Sequence, residues 1–160
     1  MLLHLIRHAD AGDPEAWTGP DAARPLSDKG RGQSERLGAF LAAHDVKADA
    51  AITSPKLRAA QTAEIVARHL GIAVTEDERL ASSFDLATLE AMLTDAHDPE
   101  RPMLFGHDPD FSDLIDELCG TVNAPMRKGA LAKIEVDRPL EAGSGILRWL
   151  IPPDALRPKR

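Results

Sequence analysis

Residues 1–12 read MLLHLIRHADAG, and this stretch is the best single indication of the fold. Its apolar run, Leu2 to Ile6, is typical of a buried β-strand, and Arg7 and His8 follow that strand at once. In open α/β sheets, ligands bind beyond the carboxyl ends of the strands. A cation beside an imidazole at such an end therefore indicates a binding site, provided that the rest of the chain supplies a sheet and further polar residues.

The rest of the chain alternates apolar runs with amphipathic segments. Further strands are predicted for ADAAIT (48–53), the region of Val74, PMLF (102–105), ALAKIEV (130–136) and GILRWLI (145–151). Helices are predicted to begin at the N-caps Ser27, Ser54, Asp85 and Asp108, with Pro55 and Pro109 in first helical positions and Gly71 just past the second helix. This alternation predicts an α/β fold, a three-layer sandwich with a mostly parallel central sheet, in a single domain spanning residues 1–160.

Three of the predicted strands are followed by residues that can carry chemistry. Arg7 and His8 follow the first strand, Arg58 lies just beyond the second, and His107 follows PMLF. If these strands are neighbours, two imidazoles and two guanidiniums meet in one crevice, together with the N–H groups of the helix starts. Arginine binds phosphate oxygens in pairs and stays charged, so the crevice is expected to bind a compact dianion such as phosphate.

An imidazole among such donors can act as a nucleophile. It can attack phosphorus in line and form a phosphohistidine, which water then hydrolyses. The arginines neutralise the charge that develops on the equatorial oxygens. They also oppose protonation of His8, because nearby cations disfavour a charged imidazole.

The motifs that carry this chemistry resemble those of the histidine phosphatase superfamily. They are LIRHADA (5–11), RPLSDKG (24–30), TSPKLRAAQTA (53–63) and FGHDPDFS (105–112). Ala9 is a departure, since many members have glycine at that position. The combination of motifs is specific, and it implies the phosphoglycerate mutase-like version of the α/β sandwich.

The resemblance also implies roles for individual residues. His8 corresponds to the phosphorylated nucleophile, and Arg7, Arg58 and His107 to the rest of the phosphate pocket. The compact chain and the RPLSDKG segment are most similar to the SixA branch, phosphohistidine phosphatases that act on signalling proteins. In that branch Arg24 is implied as a further phosphate-binding residue. The implied enzyme needs neither a metal nor another cofactor.

The position of a proton donor is left open by the sequence. Asp85 and Glu78 are the first candidates, and Glu76 and Asp10 are further ones. An alkoxide leaving group needs a donor, whereas a protonated imidazole leaves readily. With the compact chain, this favours phosphohistidine on a protein substrate over sugar phosphates. The alternatives are a broad-specificity phosphatase of small phosphate esters and a non-catalytic phosphate-binding regulatory protein.

A metallophosphatase is the rival chemistry. Its ligands would come from His8, Asp10, His107 and Asp108, whose side chains suit divalent metals. Two flanking arginines would repel such a cation, so the metal-free route is favoured.

The composition excludes several classes of partner. The chain has 160 residues and a formal net charge of -7, which argues against binding to nucleic acid or acidic membranes. We find no apolar run long enough for a membrane span and no signal-peptide pattern. Cys119 is the single cysteine and is expected to be a small core residue, and a cytoplasmic location is the default. The remaining histidines, which are expected to be structural or solvated, are His4, His44, His69 and His97.

Overall fold

The structure, a computed structural model that describes residues 1–159, is built on one six-stranded sheet. The strands are β1 (Leu2–Arg7), β2 (Ala50–Thr53), β3 (Val74–Glu76), β4 (Pro102–Gly106), β5 (Leu131–Glu135) and β6 (Ile146–Ile151). Their order across the sheet is β3-β2-β4-β1-β5-β6. The pairs within β3-β2-β4-β1 are parallel, and β5 runs antiparallel to both β1 and β6. The predicted mostly parallel sheet is therefore confirmed.

Four α-helices cover the two faces of the sheet. They are α1 (Asp28–Ala43), α2 (Leu57–Leu70), α3 (Leu86–Asp95) and α4 (Asp110–Cys119). Ile6 faces the core formed with α1 and α2, whereas Leu3 and Leu5 face the core formed with α3 and α4. Successive side chains of a strand point to opposite faces, so the continuous apolar run of β1 serves both layers. This arrangement confirms the three-layer α/β sandwich.

Two helix starts and one helix end agree with the sequence. The Ser27 hydroxyl accepts a hydrogen bond from the Gly30 N–H at the start of α1 (3.1 Å), and the Asp85 carboxylate accepts one from the Thr88 N–H at the start of α3 (2.9 Å). Gly71 ends α2 with a φ of 66°, a conformation that glycine adopts without strain.

The other two predicted N-caps were wrong. Helix α2 begins at Leu57 with Lys56 as its N-cap, so Ser54 and Pro55 lie outside the helix. Helix α4 begins one residue later than predicted, with Pro109 rather than Asp108 as its N-cap. The Asp108 carboxylate still accepts a hydrogen bond from the Ser112 N–H at 3.1 Å, so it satisfies a helix donor from just outside the helix.

Among residues 1–159, no helix combines the length and the apolar character that a membrane crossing requires.

Candidate active site

The central position of β4 brings the polar residues after three strands together. His8 donates its backbone N–H to the Gly106 carbonyl at 2.9 Å, and Ser54 donates its own to the Phe105 carbonyl at 2.9 Å. The segments after β1 and β2 are thus both bonded to the end of β4, which His107 follows directly. The three strand ends form the single crevice that the sequence predicts.

His8 is buried, with 5% of its surface exposed. Its Nδ1 lies 2.8 Å from the carbonyl oxygen of Ala9. Because a carbonyl can only accept, Nδ1 carries the proton, and the neutral ring keeps its lone pair on Nε2. Burial lowers the pKa of His8 to about 4, and the charges of Arg58 and Arg7 act in the same direction, although the Ala9 carbonyl opposes them. The ring is therefore neutral and nucleophilic at neutral pH.

His107 lies beside His8, with 5.3 Å between the ring centroids. Its Nε2 is 2.8 Å from the Ser54 hydroxyl oxygen, a contact across 53 positions of sequence. Burial lowers the pKa of His107 to about 3, and His8 and Lys56 add to this effect. Its Nδ1 is buried and has no hydrogen-bond partner among the described residues. His107 is therefore neutral at neutral pH, and Ser54 fixes the orientation of its ring.

Arg58 and Arg7 both form hydrogen bonds through terminal nitrogens of the guanidinium, whereas their Nε atoms form none with the described residues. Arg58 donates from Nη1 to the Asp21 carbonyl (2.9 Å) and from Nη2 to its carboxylate (3.0 Å). Arg7 donates from Nη1 to the Met126 carbonyl at 2.9 Å. The Nε atoms of both arginines are buried and, within residues 1–159, have no partner. An unpaired buried donor costs about 1–3 kcal/mol, and the two guanidiniums carry fixed positive charges that an anion in the crevice would offset.

The loop after β1 is held by side chains from two helices. Thr62 accepts a hydrogen bond from the Ala9 N–H (3.1 Å) and donates to the Arg58 carbonyl (2.7 Å). Gln33 accepts from the Asp10 N–H at 2.9 Å. A Cβ on Gly30 would lie 1.9 Å from the Asp10 carbonyl oxygen, so α1 approaches this loop more closely than any side chain would permit. These contacts fix the position of His8 relative to Arg58.

Arg24 is buried in the loop that follows β1, with 7% of its surface exposed. It donates from Nη1 to the Ala11 carbonyl (2.9 Å) and from Nε to the Asp21 carboxylate (3.3 Å). These bonds tie the loop to itself and to the residue that holds Arg58. A direct role of Arg24 in binding phosphate stays a prediction.

The predicted proton donors have environments that differ from one another. Asp85 is exposed and caps α3, and its hydrogen bonds from Thr88 lower its pKa. The hydrogen bond from Ser27 lowers the pKa of Asp10. Both carboxyls therefore favour the ionised form, which is the opposite of what a donor needs. Glu78 is exposed in a short turn, and its role as a donor, like that of Asp85, stays a prediction.

Asp110 is a carboxyl that the sequence analysis missed. It is half-buried in the first turn of α4, three residues after His107, and burial raises its pKa. The Phe111 N–H donates to the His107 carbonyl at 3.1 Å, so Asp110 lies in the turn that follows His107 directly. Asp110 lies within the FGHDPDFS motif, but its raised pKa depends on tertiary burial, which the motif alone does not show.

The described residues contain no ligand set for a metallophosphatase. Within residues 1–159, His, Cys, Asp and Glu side chains form no group of three or more that could hold a metal ion. Cys119, the last residue of α4, is partly buried against the core, and burial raises its pKa, which disfavours the thiolate that a nucleophile needs. The histidine chemistry is the one that the geometry supports.

Comparisons with known proteins identify the class. The sequence profile of the histidine phosphatase superfamily (branch 1) matches residues 3–112, a range that contains His8, Arg58 and His107. The chain belongs to this superfamily, and it is a phosphatase of the class that uses a histidine nucleophile without a metal. The alternative of a non-catalytic phosphate-binding protein is therefore set aside.

The chain is also similar to individual relatives along almost its whole length. The chain is 28% identical over 162 residues to phosphohistidine phosphatase SixA of Escherichia coli (strain K12), which covers 98% of this chain and 97% of that protein. A solved structure of the protein histidine phosphatase SixA complexed with tungstate superimposes with a TM-score of 0.81 and 25% identity, covering 98% and 100% of the two chains. The α-ribazole phosphatase of Shigella flexneri shares the fold, with a TM-score of 0.72, 19% identity, and coverage of 96% and 97%. The predicted family and its phosphoglycerate mutase-like fold are confirmed.

Proposed function

We propose that this chain removes phosphate from phosphohistidine on a protein, through a phosphohistidine intermediate at His8. The observation that carries the proposal is the arrangement of donors around the His8 ring. His8 keeps a lone pair on Nε2, and its ring centroid lies 5.3 Å from that of His107. Arg7 precedes His8 in the chain, and Thr62 bridges the following Ala9 to Arg58. A phosphoryl group is the ligand that suits a neutral imidazole nucleophile beside two guanidiniums and a second imidazole.

The first step is an in-line attack of His8 Nε2 on phosphorus. The new N–P bond forms as the bond from phosphorus to the substrate imidazole breaks, and that imidazole, already protonated on its other ring nitrogen, leaves with the electron pair as a neutral ring. The hydrogen bond from His8 Nδ1 to Ala9 keeps the ring oriented. Arg7, Arg58 and His107 donate to the equatorial oxygens, where charge accumulates.

The second step returns the enzyme to its starting state. Water attacks the phosphorus of phosphorylated His8, the N–P bond breaks, and inorganic phosphate leaves. The same donors act in both steps because the geometry of the phosphoryl group is the same in each. His8 then regains the lone pair on Nε2, since Nδ1 has kept its proton throughout.

The choice of a phosphohistidine substrate rests on the leaving group. Asp10 and Asp85 favour the ionised form, which would handicap departure of an alkoxide more than departure of an imidazole. The similarity to SixA of Escherichia coli supports the same substrate class. We expect the partner to be a phosphorylated protein rather than nucleic acid or a membrane. We also expect the enzyme to act in the cytoplasm and residues 1–160 to form one domain.

A second candidate is a phosphatase of small phosphate esters, which Asp110 favours. Its pKa is raised by burial, so the protonated form that an alkoxide requires is more populated there than at Asp10 or Asp85. If esters are the substrates, Asp110→Asn should reduce their turnover much more than that of phosphohistidine. Equal effects on both substrates would remove Asp110 from the chemistry.

The deciding experiment compares kcat/KM on three substrates side by side. They are a phosphotransfer domain phosphorylated on histidine, a phosphoserine peptide and a sugar phosphate. We expect the phosphohistidine domain to be preferred. If the sugar phosphate is preferred by tenfold or more, about 1.4 kcal/mol in the barrier, the small-ester function replaces this one.

A further inference from the structure

A basic groove adjoins the candidate pocket of this acidic protein. The chain carries a formal net charge of -7, yet a cavity of about 270 Å³ beside Arg7 is lined by Lys29, Arg127, Lys128 and Arg157. These four residues, here called the basic groove, come from the start of α1, the segment before β5 and the C-terminal turn. Cations from three separate parts of the chain are thus gathered at one side of the pocket.

The positive charge of the groove is only partly cancelled locally. Asp154 pairs with Arg157 (3.1 Å), whereas Asp10 accepts from the neutral Ser27 hydroxyl (2.6 Å) and keeps its negative charge. Lys29, Arg127 and Lys128 form no ion pair with any residue of 1–159. Three unpaired cations therefore remain to meet negative charge from outside the chain.

The groove is also close to the reacting atoms. Arg7, which precedes His8, also lines the groove, and Gly129, the residue after Lys128, donates its N–H to the His8 carbonyl at 3.0 Å. Lys128 helps to lower the pKa of His8, and Lys128 and Lys29 help to lower that of Asp10. The phosphoryl group itself already has donors in Arg7, Arg58 and His107. The cations of the groove are therefore placed to meet anionic groups that lie next to the phosphoryl group in the substrate.

The shape and lining of the groove favour a protein surface over a small organic ligand. Pockets for small molecules usually have roughly 300–1,000 Å³ and are mostly apolar. This groove is smaller and its lining is mostly charged, with Lys29 and Arg127 exposed at its rim. Exposed cations at a rim steer and orient an acidic partner, and they act mainly on association.

We propose that the basic groove is the docking surface for acidic side chains that flank the phosphorylated histidine of a protein substrate. This inference rests on the proposed function, because it requires a protein as the substrate. The groove orients the partner so that its phosphohistidine enters the pocket at His8. A substrate without the flanking protein does not use the groove.

The test compares charge-reversal variants on two substrates. The variants are Lys29→Glu and Arg127→Glu, with Arg101→Glu as the matched control. Arg101 is exposed and forms no ion pair with residues 1–159. It precedes β4, at the opposite end of that strand from His107. The substrates are a phosphotransfer domain with acidic residues around its phosphohistidine, and free phosphohistidine.

We expect KM for the phosphorylated domain to rise about five- to tenfold in each groove variant, with kcat nearly unchanged. Turnover of free phosphohistidine should stay within about twofold, which also shows that the variants are folded. Arg101→Glu should leave both substrates unaffected. Raising the salt concentration should weaken the wild-type preference for the domain, because exposed charges are screened.

Three results would overturn the docking surface. One is an unchanged KM for the domain in both variants, and another is an equal loss on both substrates, which would place the groove in the phosphate pocket. The third is a selective loss on a small phosphate that carries a second anionic group, which would make the groove a small-molecule subsite. If the wild-type protein does not hydrolyse the phosphorylated domain but hydrolyses esters, the proposed function is wrong, and the docking surface, which requires a protein substrate, is wrong as well.

Discussion

Asp21 binds the guanidinium of Arg58 through both its backbone and its side chain, across 37 positions of sequence. Its carbonyl lies 2.9 Å from Nη1 and its carboxylate 3.0 Å from Nη2. The same carboxylate accepts from Arg24 at 3.3 Å. Although desolvation opposes it, the charge of Arg58 and its hydrogen bond hold the pKa of Asp21 below its ordinary value. The consequence is that Asp21 holds the Arg58 guanidinium through both of its terminal nitrogens.

This relationship predicts different outcomes for two variants of Asp21. Asp21→Ala removes the carboxylate contact to Nη2 and leaves only the backbone carbonyl to hold the guanidinium, so kcat/KM should fall by about tenfold. Asp21→Asn keeps an acceptor oxygen and should stay within about threefold of the wild type. Steady-state kinetics on one phosphohistidine substrate measures both. Equal losses in the two variants would mean that the charge of Asp21, rather than its hold on Arg58, is what matters.

Arg58 itself should not tolerate lysine. Arg58→Lys keeps the positive charge but loses the planar fork that pairs with two phosphate oxygens. It also loses the two contacts to Asp21 in their present geometry. We expect kcat/KM to fall by the equivalent of about 2–3 kcal/mol of transition-state stabilisation. Kinetics close to those of the wild type would show that Arg58 does not bind the transferring group.

His8 should become covalently phosphorylated during turnover. The hydrogen bond from Nδ1 to Ala9 leaves only Nε2 with a lone pair, so the phosphoryl group should be found on that nitrogen. Phosphohistidine is destroyed by acid, so mass spectrometry should follow an alkaline quench. His8→Ala should be folded and almost inactive. A label on a different residue during demonstrated turnover would rule out His8 as the nucleophile.

The pH dependence should show an unusually acidic limb. Burial, together with Arg58, Arg7 and Lys128, lowers the pKa of His8 to about 4. Protonation removes the attacking lone pair, so kcat/KM should be lost as the pH falls through about 4, not through the ordinary value near 6.5. An NMR titration of the His8 ring in the free enzyme separates this effect from ionisation of the substrate. A midpoint near 6.5 would contradict the buried, neutral state of His8.

His4 should make the stability of the fold depend on pH. It is 1% exposed, and within residues 1–159 neither ring nitrogen has a hydrogen-bond partner. Burial lowers its pKa to about 4, with Lys133 adding to the effect and the nearby Pro102 carbonyl opposing it. Between about 4 and the unfolded value of 6.5, the unfolded chain binds a proton that the folded chain does not. The free energy of unfolding should therefore decrease as the pH falls through this window.

The measurement is urea unfolding of the wild type and of His4→Leu at pH 7 and at pH 4.5. His4 alone accounts for a loss of roughly 2–3 kcal/mol over that interval, since one pKa unit corresponds to 1.36 kcal/mol. The loss should be smaller in the variant but not zero, because burial acts on His8 and His107 in the same direction. The same pH dependence in both proteins would show that His4 is not the group that titrates.

Much of the fold follows from local patterns in the sequence. The alternation of apolar runs and amphipathic segments is enough to predict the α/β sandwich, because periodicity records which face of each element is buried. Ser27, Asp85 and Gly71 end or begin helices as predicted, since capping depends on groups only a few residues apart. The strand ends that carry Arg7, His8 and His107 were placed by the same reasoning.

What the tertiary structure decided is how those residues are oriented and charged. Ser54 has the local character of a helix cap, yet its hydroxyl contacts His107, and α2 begins only at Leu57. The hold of Asp21 on Arg58 and the raised pKa of Asp110 likewise have no local signature. Hydrogen bonds between distant residues and the loss of water on burial depend on which elements pack together. Sequence alone therefore predicted which residues follow the strands as candidates for the site, whereas packing determined their hydrogen bonds and the directions in which their pKa values shift.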